Sequence, residues 1–119
     1  MPKAKLVRFD SVEHQERRPG VVLTSLVDGD TGATQISSGV AEFAAGASAP
    51  MHYHDAEESV IVIEGEGLMV INGEEHIVHP NDAAFISPGA HHSIANHGDQ
   101  PFKISWTYAS IEWSTTQVD

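Results

Sequence analysis

The chain has 119 residues, with 17 acidic and 6 basic side chains, 8 histidines and no cysteine. This is the length of one domain, enough to bury about two-thirds of its unfolded surface unaided. The absence of cysteine excludes disulfides, zinc–thiolate sites and thiol catalysis.

The longest strictly aliphatic run, Val60 to Ile63, is far shorter than a membrane span, and the N-terminus lacks the apolar stretch of a secretory signal. A cytoplasmic protein without a membrane partner is expected. The formal charge of −11 disfavours nucleic acid as a partner. Five of the six basic residues (Lys3, Lys5, Arg8, Arg17, Arg18) lie in the first 18 positions, so residues 1–18 carry +2 and residues 19–119 carry −13. A body so negative repels free anions at long range unless something inside supplies positive charge, and a bound cation is the obvious candidate.

No internal repeat interrupts the chain. Residues 1–18 read as a polar N-terminal arm, with a short helix expected around Ser11 to Arg17, and residues 19–119 as one domain. From Val21 onward, short apolar stretches alternate with turn residues, which predicts an all-β protein. The stretches run Val21 to Val27, Gln35 to Ala44, Ser59 to Ile63, Leu68 to Ile71, His76 to Val78, Ala83 to Ile86, His92 to Asn96 and Phe102 to Ala109. Asn72-Gly73 is the clearest turn, because a type I′ hairpin needs positive φ at both central residues. It pairs Leu68–Ile71 with Glu74–Val78. Seven or eight strands in a chain of this length must close or stack to protect their edges, and a small jelly roll does so.

Six of the eight histidines fall between positions 52 and 92, two of them in His52-Tyr53-His54. In a strand, residues i and i+2 share a face, so His52 and His54 can present imidazoles side by side. Glu58 has the same parity. Two imidazoles and a carboxylate facing one interior suit a divalent metal. On its own, a His-x-His pair in a histidine-rich chain is more often a solvated strand edge.

The framing of these residues is more specific. Gly46, His52, His54, Glu58 and Gly65 stand at intervals of five, one, three and six intervening residues, and Pro88-Gly89 is followed by His92 and Asn96. The pattern resembles the two signature motifs of the cupin superfamily and covers about Val21 to Tyr108. It departs from them at Asn81, where glycine is usual, and at Ser87, where the first proline is usual. The resemblance implies a double-stranded β-helix, or jelly-roll barrel. It also implies that His52, His54, Glu58 and His92 hold one divalent first-row transition metal, with Fe, Mn, Ni, Co, Cu and Zn all compatible. His91 is the rival for the last position. Small cupins are commonly homodimers, so a homodimer is expected. The outward set Ser59, Ile61 and Ile63 is too apolar for open solvent, and either a partner, the arm or the sheet behind is expected to cover it.

Met51, Val60, Val62, Phe85, Ile94, Trp106 and Tyr108 are the expected pocket lining, and Glu58, Tyr108 and Glu42 the candidate catalytic groups. A mostly apolar cavity without Lys or Arg suits a small neutral or metal-chelating molecule better than a sugar phosphate. A metal-dependent enzyme acting on a small organic substrate is the leading expectation, with a slight lean towards a dioxygenase. The alternatives are a non-redox isomerase, lyase or cyclase using the metal as Lewis acid, a binding module without catalysis, and a structural barrel.

Overall fold

The computed structural model describes residues 1–118. Among them, eleven strands form: β1 (Gln15–Arg18), β2 (Val21–Val27), β3 (Ser37–Phe43), β4 (Ser48–His54), β5 (Glu58–Glu64), β6 (Gly67–Ile71), β7 (Glu74–Val78), β8 (Ala83–Ile86), β9 (His92–Ala95), β10 (Phe102–Tyr108) and β11 (Thr115–Gln117). They make two antiparallel sheets, one in the order β1-β2-β3-β10-β5-β8 and the other β11-β4-β9-β6-β7. This is the jelly-roll architecture that the strand pattern called for. No helix among the described residues is long and apolar enough to cross a membrane.

Alternation explains the two layers. In β10, Phe102, Ile104, Trp106 and Tyr108 are buried, while Lys103, Ser105 and Thr107 remain partly exposed. In β5, Glu58, Val60 and Val62 face inward and Ser59, Ile61 and Ile63 outward. The outward isoleucines are 44% and 46% exposed, and Phe85 on the neighbouring β8 is 66% exposed, so neither the second sheet nor the arm covers them.

The Asn72-Gly73 turn forms as expected, with φ of 50° and 84° and Ile71 opposite Glu74. Asn81 accepts φ of 78°, which keeps the turn that glycine usually makes there.

The arm departs from expectation. Residues 9–11 form a single 3-10 turn, and Gln15–Arg18 is a strand rather than part of a helix. Seven residues make only a marginal helix in water, whereas the free edge of β2 offers backbone partners to Gln15–Arg18. Within the arm, Phe9 and His14 pack on the outer face, while Leu6 and Val12 line a cavity with Leu23, Trp106 and Trp113. His14 Nδ1 lies 2.8 Å from Thr24 Oγ1, the Phe9 ring stacks on His14 at 4.3 Å, and the Lys103 ammonium sits 4.9 Å from the Phe9 ring centre.

One residue makes the interior geometry possible. Gly39 on β3 lies opposite Trp106, and a Cβ there would stand 2.0 Å from Thr24 O and 2.5 Å from Trp106 Cζ2. Because one of those atoms is backbone, the clash cannot be relieved by a rotamer change. Gly39→Ala is expected to destabilise the fold by about 3 kcal/mol, at the upper end of overpacking costs. Urea denaturation checks this, and an unchanged midpoint would contradict it.

Candidate metal centre

Three strands from two sheets supply the site. His52 and His54 stand on β4, His92 on β9 and Glu58 at the start of β5. A register shift between Ala49 and His52 places His52 directly opposite His92, with ring centroids 4.2 Å apart. One ring nitrogen each from His52, His54 and His92 lies within 4.8 Å of the others, a grouping able to hold a metal ion.

The outward-turned nitrogens fix the orientation. His52 Nδ1–H donates to Pro50 O at 2.6 Å and His92 Nδ1–H to Ala90 O at 2.9 Å, while His54 Nδ1 lies 2.9 Å from Thr115 Oγ1. Each Nε2 is thereby left to face the interior, and such outer partners set tautomer and basicity in metal-binding histidines.

Glu58 Oε1 lies 3.4 Å from His92 Nε2 and 3.5 Å from His54 Nε2. Two ligands at about 2.1 Å from one first-row metal stand about 3.4 Å apart at the tetrahedral angle. Glu58 Oε1 and His92 Nε2 are both buried and without a hydrogen-bond partner. Orphaned buried polar atoms are costly, and a shared cation satisfies both at once. The donor set therefore fits a divalent metal.

Burial lowers the pKa of His52 to about 4 and also lowers that of His54, so both imidazoles are neutral at pH 7, as metal ligation requires. Tyr108 is the fifth polar group of the site, its hydroxyl 3.2 Å from His54 Nε2. Burial, and then the negative charge of Glu58, push the Tyr108 pKa well above the usual tyrosine range, so the group stays protonated.

The donors open onto a cavity of about 440 Å3 that runs along β2, β3 and β10. Ile94, Trp106 and Tyr108 line it as expected. The other expected lining residues do not. Val60 and Val62 face inward but are packed in the core at 0% and 2% exposure, because the cavity follows the other half of the sheet. Met51 has the opposite parity to His52, and Phe85 points outward into solvent. Glu42 is exposed on the outer face of β3, opposite Lys103, and is no catalytic candidate. His92 turns inward at 1% exposure, whereas His91 lies on the outside, stacked on Tyr53 at 5.2 Å.

Sequence reasoning missed the contributions of both chain ends. Trp113, Thr115 and Gln117 reach the cavity from the C-terminal segment, since β11 pairs with β4. Trp113 stacks on Tyr108 with ring centroids 4.1 Å apart. Arg17 and Arg18 line the cavity as well, contrary to the expectation that no Lys or Arg would be at hand. An aromatic residue in a polar tail was the one signal that could have pointed to Trp113.

An antiparallel jelly roll that turns three imidazoles and a carboxylate towards one interior point defines a small β-barrel with a donor set able to hold a metal. The chain belongs to the cupin family, since the Cupin_2 (Cupin domain) family model matches residues 39–108. Over 102 residues it is 31% identical to the tetracenomycin polyketide synthase protein TcmJ of Streptomyces glaucescens, covering 85% of this chain and 68% of that one. It is similar in structure to the polyketide cyclase RemF of Streptomyces resistomycificus, with a TM-score of 0.86 at 25% identity over 98% of this chain and 87% of that one. An oxalate oxidase in complex with glycolate shares the fold at a TM-score of 0.73 and 24% identity, over 82% of this chain and 55% of that one.

Two outcomes follow from the site. His52→Ala and His92→Ala should each strip most of the bound metal when purified protein is assayed by elemental analysis, whereas His97→Ala should not. Full occupancy in both site variants would refute the assignment. For the metal-free protein, the depressed pKa of His52 means that the unfolded chain binds more protons between pH 6.5 and about 4. The stability contributed by neutral His52 is present above pH 6.5 and is lost as pH falls through that window. Thermal melting of stripped protein between pH 7 and 5 should show a steeper decline for wild type than for His52→Gln, and parallel curves would argue against it.

Proposed function

We propose that the protein is a metal-dependent enzyme catalysing a non-redox ring closure on a polyketide-type substrate, a chain of alternating carbonyl and methylene groups. The observation that carries this reading is the convergence of the Nε2 atoms of His52, His54 and His92 with Glu58 Oε1 at one end of a cavity walled by Trp106, Tyr108 and Trp113. The extended likeness to TcmJ and RemF supports the class of substrate. Of the redox and non-redox chemistries open to such a donor set, the non-redox one is favoured, because the likeness to oxalate oxidase reaches no further than the fold.

His52, His54, His92 and Glu58 would hold a divalent metal, which would supply a Lewis acid for carbonyl chemistry. The rings of Trp106, Tyr108 and Trp113, in mutual contact, form one aromatic wall against which a flat substrate lies with its two reacting carbons held together. Ring closure breaks one methylene C–H bond, whose proton passes through solvent to restore Tyr108 at the end of the cycle, and forms one carbon–carbon bond between that carbon and a ketone carbon, so that the ketone oxygen becomes an alkoxide. Tyr108, held protonated by its surroundings, donates its hydroxyl proton to that oxygen. Loss of one water then gives the aromatic ring, with no change in oxidation state.

Metal-loaded protein incubated with an aryl poly-β-ketone should yield a product lighter by one water, at the same rate with and without dioxygen. Tyr108→Phe should retain its metal but lower kcat about 100-fold, the scale of a lost general acid. Mass spectrometry of the product together with an oxygen electrode decides the matter, since dioxygen consumed in step with substrate would overturn the cyclase reading in favour of an oxygenase.

A further inference from the structure

We propose that the substrate carries a carboxylate and that Arg17 and Arg18 hold it at the rim of the cavity, an inference that rests on the reading of the metal site above. Both side chains line the cavity that contains His52, His54, Glu58 and His92. They arrive there because β1 extends the sheet beside β2, whose Val21 and Leu23 form the adjoining wall.

Adjacent residues of a regular strand point to opposite faces, so two neighbouring arginines should not both reach one cavity. A bulge removes that obstacle. Glu16 pairs with Val22 and Arg18 with Val21, which leaves Arg17 as the extra residue on the β1 side. Bulges re-aim side chains in this way, and they recur beside active sites.

Neither guanidinium is committed elsewhere. Among the described residues no ion pair involves Arg17 or Arg18, although residues 19–119 carry a net −13. The neighbouring carboxylate, Glu16, is engaged with the backbone instead, accepting a hydrogen bond from Gly20 N at 3.2 Å. Two unpaired guanidinium groups at the rim of one cavity in an otherwise acidic protein form a local anion site, and the planar guanidinium fork matches a carboxylate. The acidic body keeps unrelated anions away, while an acid that also has a β-diketone to offer the metal end is bound at two points. This replaces the neutral substrate that the charge balance alone suggested.

A matched pair of probes tests the inference: 1-phenylbutane-1,3-dione, which is neutral, and its analogue with a carboxylate para on the ring. Isothermal titration of each into zinc-loaded protein gives a ratio of dissociation constants. The carboxylated probe should bind about tenfold tighter at low ionic strength, as expected for a charge-assisted hydrogen bond, with the ratio shrinking as salt is added. In the double variant Arg17→Gln, Arg18→Gln the ratio should fall close to one, and Arg→Lys at both positions should restore part of it. Both residues are exposed on an edge strand, so the variants are expected to melt as wild type does. Equal affinities in wild type, or a tenfold ratio that survives in the double Gln variant, would overturn the inference. His52→Ala separates the two levels of the argument, because undiminished binding of both probes by that variant would overturn the reading of the metal site itself.

Discussion

Everything about this molecule depends on bringing four metal-type donor atoms to one dry point. His52 and His54 come from one strand, His92 from its neighbour and Glu58 from the opposite sheet. Burying such groups without partners costs several kcal/mol. The fold limits that cost by tying each imidazole at its outer nitrogen to Pro50, Ala90 or Thr115. What remains unsatisfied, Glu58 Oε1 and His92 Nε2, lies 3.4 Å apart and shares one missing partner. A cation held there would answer that need, and burial keeps His52 and His54 neutral, as ligation requires.

The cavity next to this point is assembled from parts of the chain that are distant in sequence. β10 provides Trp106 and Tyr108, the C-terminal segment lays Trp113 against Tyr108, and the arm brings Arg17 and Arg18. Gly39 clears the space that Trp106 occupies. The lining thus combines metal-type donor atoms, guanidinium groups and aromatic surface. Of the five basic residues in the first 18 positions, Arg17 and Arg18 reach this cavity.

Much of the barrel was legible in the sequence because period-two alternation leaves a direct trace. β2 and β8 begin and end where the apolar runs do, and the Asn72-Gly73 turn fixes the β6–β7 register. β1, β4 and β11 left less trace, for different physical reasons. β4 starts inside a segment rich in turn residues, while β1 and β11 are polar edge strands whose pairing comes from an open neighbour and not from their own hydrophobicity. For the site, parity grouped His52, His54 and Glu58, whereas the full set with His92 came from the resemblance to the cupin motifs, and the structure turns all four side chains towards one cavity. The lining could not be read in the same way. Proximity in sequence suggested Met51 and Phe85, yet one residue's difference in parity puts Met51 on the other side of its strand, and Phe85 stands on an outer face.

The sequence by itself therefore determined the all-β class and the turns, because these depend on local alternation and on residue type, and its motif spacing pointed to the set of metal-type ligands. Only the tertiary structure decided which walls surround those ligands and where the positive charge goes. Those depend on which sheet edge captures β1 and β11, and on a single bulge in β1, and edge capture is a competition among distant partners that no local pattern encodes.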